Sequence, residues 1–377
     1  MPLIVDGTSG VTFNDSSLQG AAASPFGLKN RIINGDMVID QRNNGASIAS
    51  SATTFTVDRW RHDTTGNASF TYQRNAGSVT PPTGFTNYLG CTSTAAYTPA
   101  NNTTHVMRQY IEGFNIADLA WGTANARTVT VSFWVRSSLT GNFTFSVQNG
   151  TATRSYVTTY TISAANTWEY KTITIDGDTT GTWATNNTGG MIVSFNLGTG
   201  SGTYATNTTG WQAGQVMSLN GTVQVSATNG ATWYLTGVQL ERNTTATPFE
   251  WLPISTELAL CQRYFYKSTN AVSGGSAYNV ISLAGFNSTR CFGTFSLPVS
   301  LRASPTITFN GCAIRDGALS IQATVTNIFP VQTVTTIPFS ASVPCEFNVA
   351  SGLSSNVWYG LGFISTGNDF YALSAEL

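Results

Sequence analysis

The chain reads as an all-β protein: a jelly-roll-like antiparallel β-sandwich, a short linking helix and a second, smaller carboxy-terminal β-sandwich domain. Short apolar runs alternate with polar residues at period two, the pattern of half-buried strands. Gly, Asn, Thr and Ser fill the gaps between the runs, as antiparallel turns require. Charged residues make up 9% of the 377, against about 25% in ordinary globular domains. Solubility therefore rests on hydroxyls and amides, and few titratable groups remain for catalysis or for steering a charged ligand.

Residues 1–28 predict an attachment segment: Leu3-Ile4-Val5 and Val11-Thr12-Phe13 cannot bury enough apolar surface to fold alone. The sandwich is expected over 29–253. Within it Val129, Val131, Phe133 and Val135 share one face, and Thr130, Ser132, Trp134 and Arg136 share the other. Phe143, Phe145 and Val147 repeat the pattern beyond Thr140-Gly141-Asn142, which predicts a hairpin over 128–148. Further strands are expected at Glu169–Ile175, Met191–Leu197, Val216–Ser218, Val223–Ser226 and Thr232–Glu241. Asn115–Trp121 reads as a short helix, and 254–267 as the linking helix, with Ser255 or Thr256 as its cap and Leu258, Cys261 and Phe265 at helical spacing. From 268 to 377 a second β domain is predicted, with strands around Val280–Gly285, Cys291–Leu297, Thr306–Phe309, Leu319–Val325, Trp358–Ile364 and Phe370–Leu373.

A net charge of −1 offers no basic footprint for nucleic acid or anionic lipid. No apolar run approaches the roughly 18 residues of a membrane-crossing helix, and Met1–Asp6 lacks the basic start and apolar run of a secretory signal. Cys91, Cys261, Cys291, Cys312 and Cys345 are odd in number and have no paired spacing, so buried free thiols are expected.

His62 and His105 are the only imidazoles, outside any metal-ligand spacing, and no nucleophile elbow or phosphate-binding loop is present. The chain is therefore expected to be no enzyme, with no catalytic residues and no cofactor. Asp176-Gly177-Asp178 reads as a polar turn. The arginines that crowd the first half suit partly buried ion pairs with Asp36, Asp58 or Glu112. The positive candidate is glycan binding, which needs aromatic faces against sugar C–H surfaces and amides or hydroxyls for the sugar hydroxyls. Trp134, on the non-core face of its strand, with Trp168, Tyr170, Trp183 and Trp211 in Thr/Asn/Gly-rich surroundings, makes the candidate carbohydrate site.

Two stretches add a resemblance. The first is Lys29-Asn30-Arg31-Ile32-Ile33-Asn34-Gly35-Asp36-Met37, continuing to Asp40-Gln41-Arg42 and Val57-Asp58-Arg59-Trp60. The second runs from Trp233 through Gly237-Val238-Gln239-Leu240-Glu241 and Ala246-Thr247-Pro248-Phe249-Glu250 to Gln262-Arg263-Tyr264. With Ser132-Phe133-Trp134-Val135-Arg136 they resemble the tail-fibre and appendage proteins of tailed bacteriophages, whose central domain is similar to a carbohydrate-binding-module jelly roll.

The resemblance covers about 29–267. It implies a non-enzymatic virion component, made in the host cytoplasm and commonly a homotrimer. Tail, baseplate or capsid proteins would be its partners through residues 1–28, and host-surface polysaccharide its ligand. A structural calcium near the sandwich ends would make Asp36 and Glu241 candidate metal ligands. Independently of the family, the first and last jelly-roll strands lie side by side, so 30–42 and 233–241 are expected to close the sandwich. The alternatives are a glycan-binding module without a virion role and a polysaccharide depolymerase built on two distant carboxylates.

Overall fold

A computed structural model describes residues 29–67, 69–269, 281–316, 318, 320–331, 341–364 and 369–377, with the backbone of three short strands at Ile4–Asp6, Gly10–Thr12 and Leu18–Gln19. Those three pair antiparallel with one another; the attachment role expected of 1–28 otherwise falls outside the described residues.

Two antiparallel sheets face each other across the main core. One has six strands in the order Glu169–Ile175, Val129–Ser137, Thr232–Glu241, Leu89–Ser93, Phe70–Arg74 and Ile48–Ala49. The other has seven: Gly210–Ala213, Arg154–Ile162, Gly141–Asn149, Gly189–Thr199, Thr104–Glu112, Arg61–Thr64 and Thr53–Phe55. Successive strands repeatedly change sheet, the connectivity of a jelly roll. Val129, Val131, Phe133 and Val135 are wholly buried between the sheets, as their alternation requires.

The expected 128–148 hairpin does not form. Val129–Ser137 pairs with Glu169–Ile175 and Thr232–Glu241, while Gly141–Asn149 pairs with Arg154–Ile162 and Gly189–Thr199 in the opposite sheet. Phe133 and Phe145 meet across the core with ring centroids 6.3 Å apart. Period-two alternation fixes which face points inward and is indifferent to which sheet a strand joins.

Smaller departures follow the same logic. Val223–Ser226 is replaced by a 3₁₀ turn at Val225–Ala227. Asn115–Trp121 becomes two 3₁₀ turns, Gly113–Asn115 and Ala117–Leu119, separated at Ile116 by a non-helical backbone. The linking helix spans Ile254–Gln262; neither Ser255 nor Thr256 caps it, and the Thr256 and Glu257 amides donate to the Pro253 carbonyl instead. Residues 265–267, expected at the end of that helix, instead open the strand Phe265–Thr269, paired with Phe370–Ser374.

The carboxy-terminal β unit encloses its core in a closed six-stranded barrel, where stacked open sheets were expected. Its strands run Ile281–Asn287, Arg290–Ser296, Ser342–Val349, Ile321–Pro330, Cys312–Arg315 and Trp358–Phe363 around the ring. A three-stranded sheet of Phe265–Thr269, Phe370–Ser374 and Thr306–Asn310 accompanies it. Closure removes the exposed edges that an open sheet would present. All five cysteines are buried and free.

The 29–40 segment lies along the last sandwich strand without becoming a regular strand. The Arg31 amide donates to the Leu240 carbonyl at 2.8 Å and the Val238 amide to the Gly35 carbonyl at 2.9 Å. Asn34, buried and at a left-handed φ of 58°, saturates the turn: its Nδ2 donates to the Ile39 and Asp58 carbonyls at 2.8 and 2.9 Å, and its Oδ1 accepts from the Ile39 amide. Its carbonyl accepts from Trp60 Nε1 at 3.1 Å, and its amide donates to Glu257 on the helix.

Beside it the Arg59 guanidinium lies 3.5 Å over the Tyr264 ring and pairs with Glu376, while Glu112 takes a bidentate pair from Arg263. Of the three carboxylates expected to hold arginines, Glu112 does so. Asp58 accepts instead from Gln41, and Asp36 forms no ion pair among the described residues. Much of the first stretch that carries the phage-appendage resemblance, with Arg263 and Tyr264 of the second, thus meets at one structural junction of sandwich, helix and the chain's last residues.

Candidate functional site

A group of partly exposed aromatics gathers on the outer face of the six-stranded sheet. Val129–Ser137 sends Trp134 outward, and its register partner on the edge strand is Tyr170; the two rings stand 5.3 Å apart. On the other side the pairing to Thr232–Glu241 skips a residue, with Ser132 opposite Gln239 and Trp134 opposite Thr236. This β-bulge reverses the strand's facing: Trp233 and Leu235 are core residues before it, Val238 and Leu240 after it.

Gly237 sits in the bulge at a φ of 61°, where a Cβ would lie 2.6 Å from Phe85 Cζ and 3.1 Å from Trp134 Cδ1. The missing side chain lets the Phe85 ring settle beside Trp134. Phe85 in turn contacts Trp251 at 4.9 Å and Phe249 at 5.2 Å, and the last two are 4.9 Å apart.

The loop that delivers Phe249 and Trp251 hangs on buried polar side chains. Glu241 Oε1 accepts from the Thr247 amide at 2.8 Å and from Gln239 Nε2 at 2.9 Å, while its Oε2 accepts from the Thr247 hydroxyl at 2.7 Å. Gln239 Oε1 accepts from the Glu250 amide at 2.8 Å, and Glu250 Oε2 from the Asn30 amide at 2.7 Å. The result is an aromatic shelf around a hollow of about 420 Å³, lined also by Thr83, Gly84, Ser132 and Pro248. Tyr170 is 44% exposed and Trp251 54%. No lining side chain carries a charge, so the shelf suits a neutral amphipathic ligand whose C–H faces can stack on the rings.

Of the sequence-derived residues, the structure brings Trp134 and Tyr170 together here and sends the others elsewhere. Trp168 is packed against Tyr88 and Tyr234, and its Nε1 donates to the Thr80 carbonyl at 2.9 Å. Trp183 and Trp211 form a separate edge-to-face cluster with Trp121. Trp183 is only 7% exposed, with its Nε1 on Asp178, so it is a packing residue with no face free for a sugar. Phe85, Phe249 and Trp251 were not singled out. Phe249 lay inside a stretch read as a family signature, and two aromatics alternating around Glu250 between Pro248 and Pro253 were the available signal.

The metal candidates do not form a site. Glu241 spends both oxygens on the donors just named. Asp36 is fixed beside Thr236, whose hydroxyl reaches its carbonyl. Five residues of strand, about 16 Å at the usual rise, separate Thr236 from Glu241. Among the described residues no group of three or more His, Cys, Asp or Glu side chains stands where it could hold a metal ion.

His62 and His105 are buried with rings stacked at 6.1 Å, and burial lowers His105 to about 4 and His62 well below its ordinary value. Both are therefore neutral packing groups at physiological pH.

No family model matches the chain, and no curated protein does. Solved structures are similar at low identity. One is the enzymatically active domain of bacteriophage CBA120 tailspike protein 4, at 12% identity over 56% of this chain and 21% of that one, with a TM-score of 0.28. Another is the family 11 carbohydrate-binding module of the cellulosomal cellulase Lic26A-Cel5E of Clostridium thermocellum, at 12% identity, 54% and 99% coverage and a TM-score of 0.27. A third is TmCBM61 in complex with beta-1,4-galactotriose, at 10% identity, 57% and 100% coverage and a TM-score of 0.29. Scores this low leave function to be argued from the chain's own residues.

Proposed function

We propose that this chain is a non-catalytic glycan-binding protein, borne as an appendage of a tailed-bacteriophage particle, with Trp134, Tyr170 and Trp251 as its sugar-contacting surface. The observation that carries the glycan reading is the uncharged aromatic shelf, in which rings from two strands and two loops stay partly exposed around one hollow. A soluble protein usually buries such rings; keeping them at the surface with hydroxyls beside them matches the two-sided chemistry of a pyranose. The virion role rests on the resemblance of the 29–60 and 233–264 motifs, with attachment through 1–28 and assembly as a homotrimer as parts of the same proposal.

An array of printed oligosaccharides probed with the full chain tests the binding. Trp134→Ala and Trp251→Ala should each weaken the signal by about tenfold or more, while Phe114→Ala, an exposed aromatic outside the shelf, should leave it unchanged. Equal binding by all three variants would refute the assignment. Mass spectrometry of purified particles tests the virion role, and its absence there would remove that half of the proposal alone.

A further inference from the structure

We propose that the carboxy-terminal barrel carries a second, independent site for a neutral saccharide, in the groove on its outer wall between Trp358 and Phe292. Trp358 is 73% exposed, the highest value among the exposed large apolar side chains of the described residues. It does not stand alone. Trp358 pairs in register with Ala284, and Ala284 with Phe292 on the next strand. Two strand spacings place the aromatic positions about 10 Å apart, with only a methyl group on the floor between them.

The adjoining row is small and polar. Ser282 lies opposite Gly360, and Thr294 opposite Pro344. The groove encloses about 680 Å³, and Ser282, Thr294 and Ser296 put three hydroxyls along it.

Among the described residues the groove's lining holds no Asp, Glu, Lys, Arg or His, and the neighbouring Arg290 and Glu346 pair with each other at 3.6 Å. That charge balance excludes an anionic or cationic ligand as the best fit. A slot with aromatic walls, an alanine floor and hydroxyls along one side takes a ring that is apolar on its faces and polar on its rim. The argument uses no residue of the sandwich shelf, so either site can fail without the other.

The test is the oligosaccharide array probed with the full-length Trp134→Ala chain, in which the shelf is weakened by about tenfold or more. This chain should retain signal on neutral glycans. Trp358→Ala added to it should reduce that signal by about tenfold or more, Ala284→Leu should do the same by filling the floor, and Trp358→Phe should restore most of it. Because Trp358 is exposed and Ala284 gains only a surface side chain, thermal melting should be unchanged; if Trp358→Ala unfolds the barrel, the Ala284→Leu and Trp358→Phe pair decides. Loss of all signal in Trp134→Ala alone, equal signal with and without Trp358, or binding confined to acidic glycans overturns the proposal. So does a fall in oligomer mass on Trp358→Ala, which would give the groove to a second copy.

Discussion

Replacing Gly237 by alanine tests the joint between fold and shelf. The backbone there is left-handed, which costs an L-residue about 1–2 kcal/mol, and the new Cβ would lie 2.6 Å from Phe85 Cζ and 3.1 Å from Trp134 Cδ1. Overpacking of this kind adds about 1–3 kcal/mol, so the whole penalty is about 2–5 kcal/mol, or on the order of 5–15 °C in melting temperature. Gly214 supplies the control. It too has a positive φ, 81°, but nothing lies within 4 Å of its would-be Cβ, so Gly214→Ala should show the backbone cost alone. Calorimetry on both variants, paired with glycan titration, reads the two effects separately: Gly237→Ala should melt lower than Gly214→Ala and bind more weakly, because Phe85 must move off the shelf. Equal melting temperatures, or a destabilised Gly237→Ala that binds as well as the parent, would refute the claim that this glycine seats the aromatic shelf.

Two further substitutions probe the junction. Burial raises Glu257 to about 7 from an ordinary 4.5, so its charged form destabilises the fold by an amount that is absent below about pH 4.5 and grows to about 3 kcal/mol above pH 7. Glu257→Gln, whose amide oxygen can still accept from the Asn34 amide, should match the parent in denaturant titrations near pH 4 and exceed it at pH 8; parallel stability curves at every pH would contradict this. Glu376→Ala leaves Arg59 buried without its ion pair, which should cost about 3–5 kcal/mol. Because Glu376 ties the chain's last residues to sandwich arginines 42 and 59, differential scanning calorimetry should resolve separate barrel and sandwich transitions; one unchanged transition would show that the pair does not couple them.

The class of the fold was legible because period-two alternation is a local property. Even the bulge was written in the chain: Trp233 and Leu235 are apolar at odd positions, Val238 and Leu240 at even ones, with Gly237 at the change. What alternation could not say was which strands are neighbours, so Val129–Ser137 and Gly141–Asn149 read as a hairpin although they belong to opposite sheets. Barrel closure was hidden for the same reason: it depends on the pairing of Ile281–Asn287 with Trp358–Phe363, set by contacts distant in sequence. The site was half legible. Trp134 and Tyr170 announce themselves by facing outward, whereas Trp183 has equally polar neighbours and is packed between Trp121 and Asp178. Polar surroundings in sequence report the loop a tryptophan sits in, not the ring that covers it.

The motifs that resemble phage appendages and the residues proposed to touch sugar are largely different sets, and the structure shows how they are joined. Asn30, Asn34, Asp58, Arg59 and Tyr264 spend their polar groups, or in Tyr264 its ring face as well, on the junction of 29–60 with the last strand and the helix. Glu241 and Gln239 belong to the same motif, yet their buried side chains also hold the loop bearing Phe249 and Trp251. A buried carboxylate that accepts three hydrogen bonds is a rigid anchor, because any displacement leaves a charge short of its donors. The loop beyond it is therefore held so that Phe249 and Trp251 stay packed against Phe85 at the edge of the hollow.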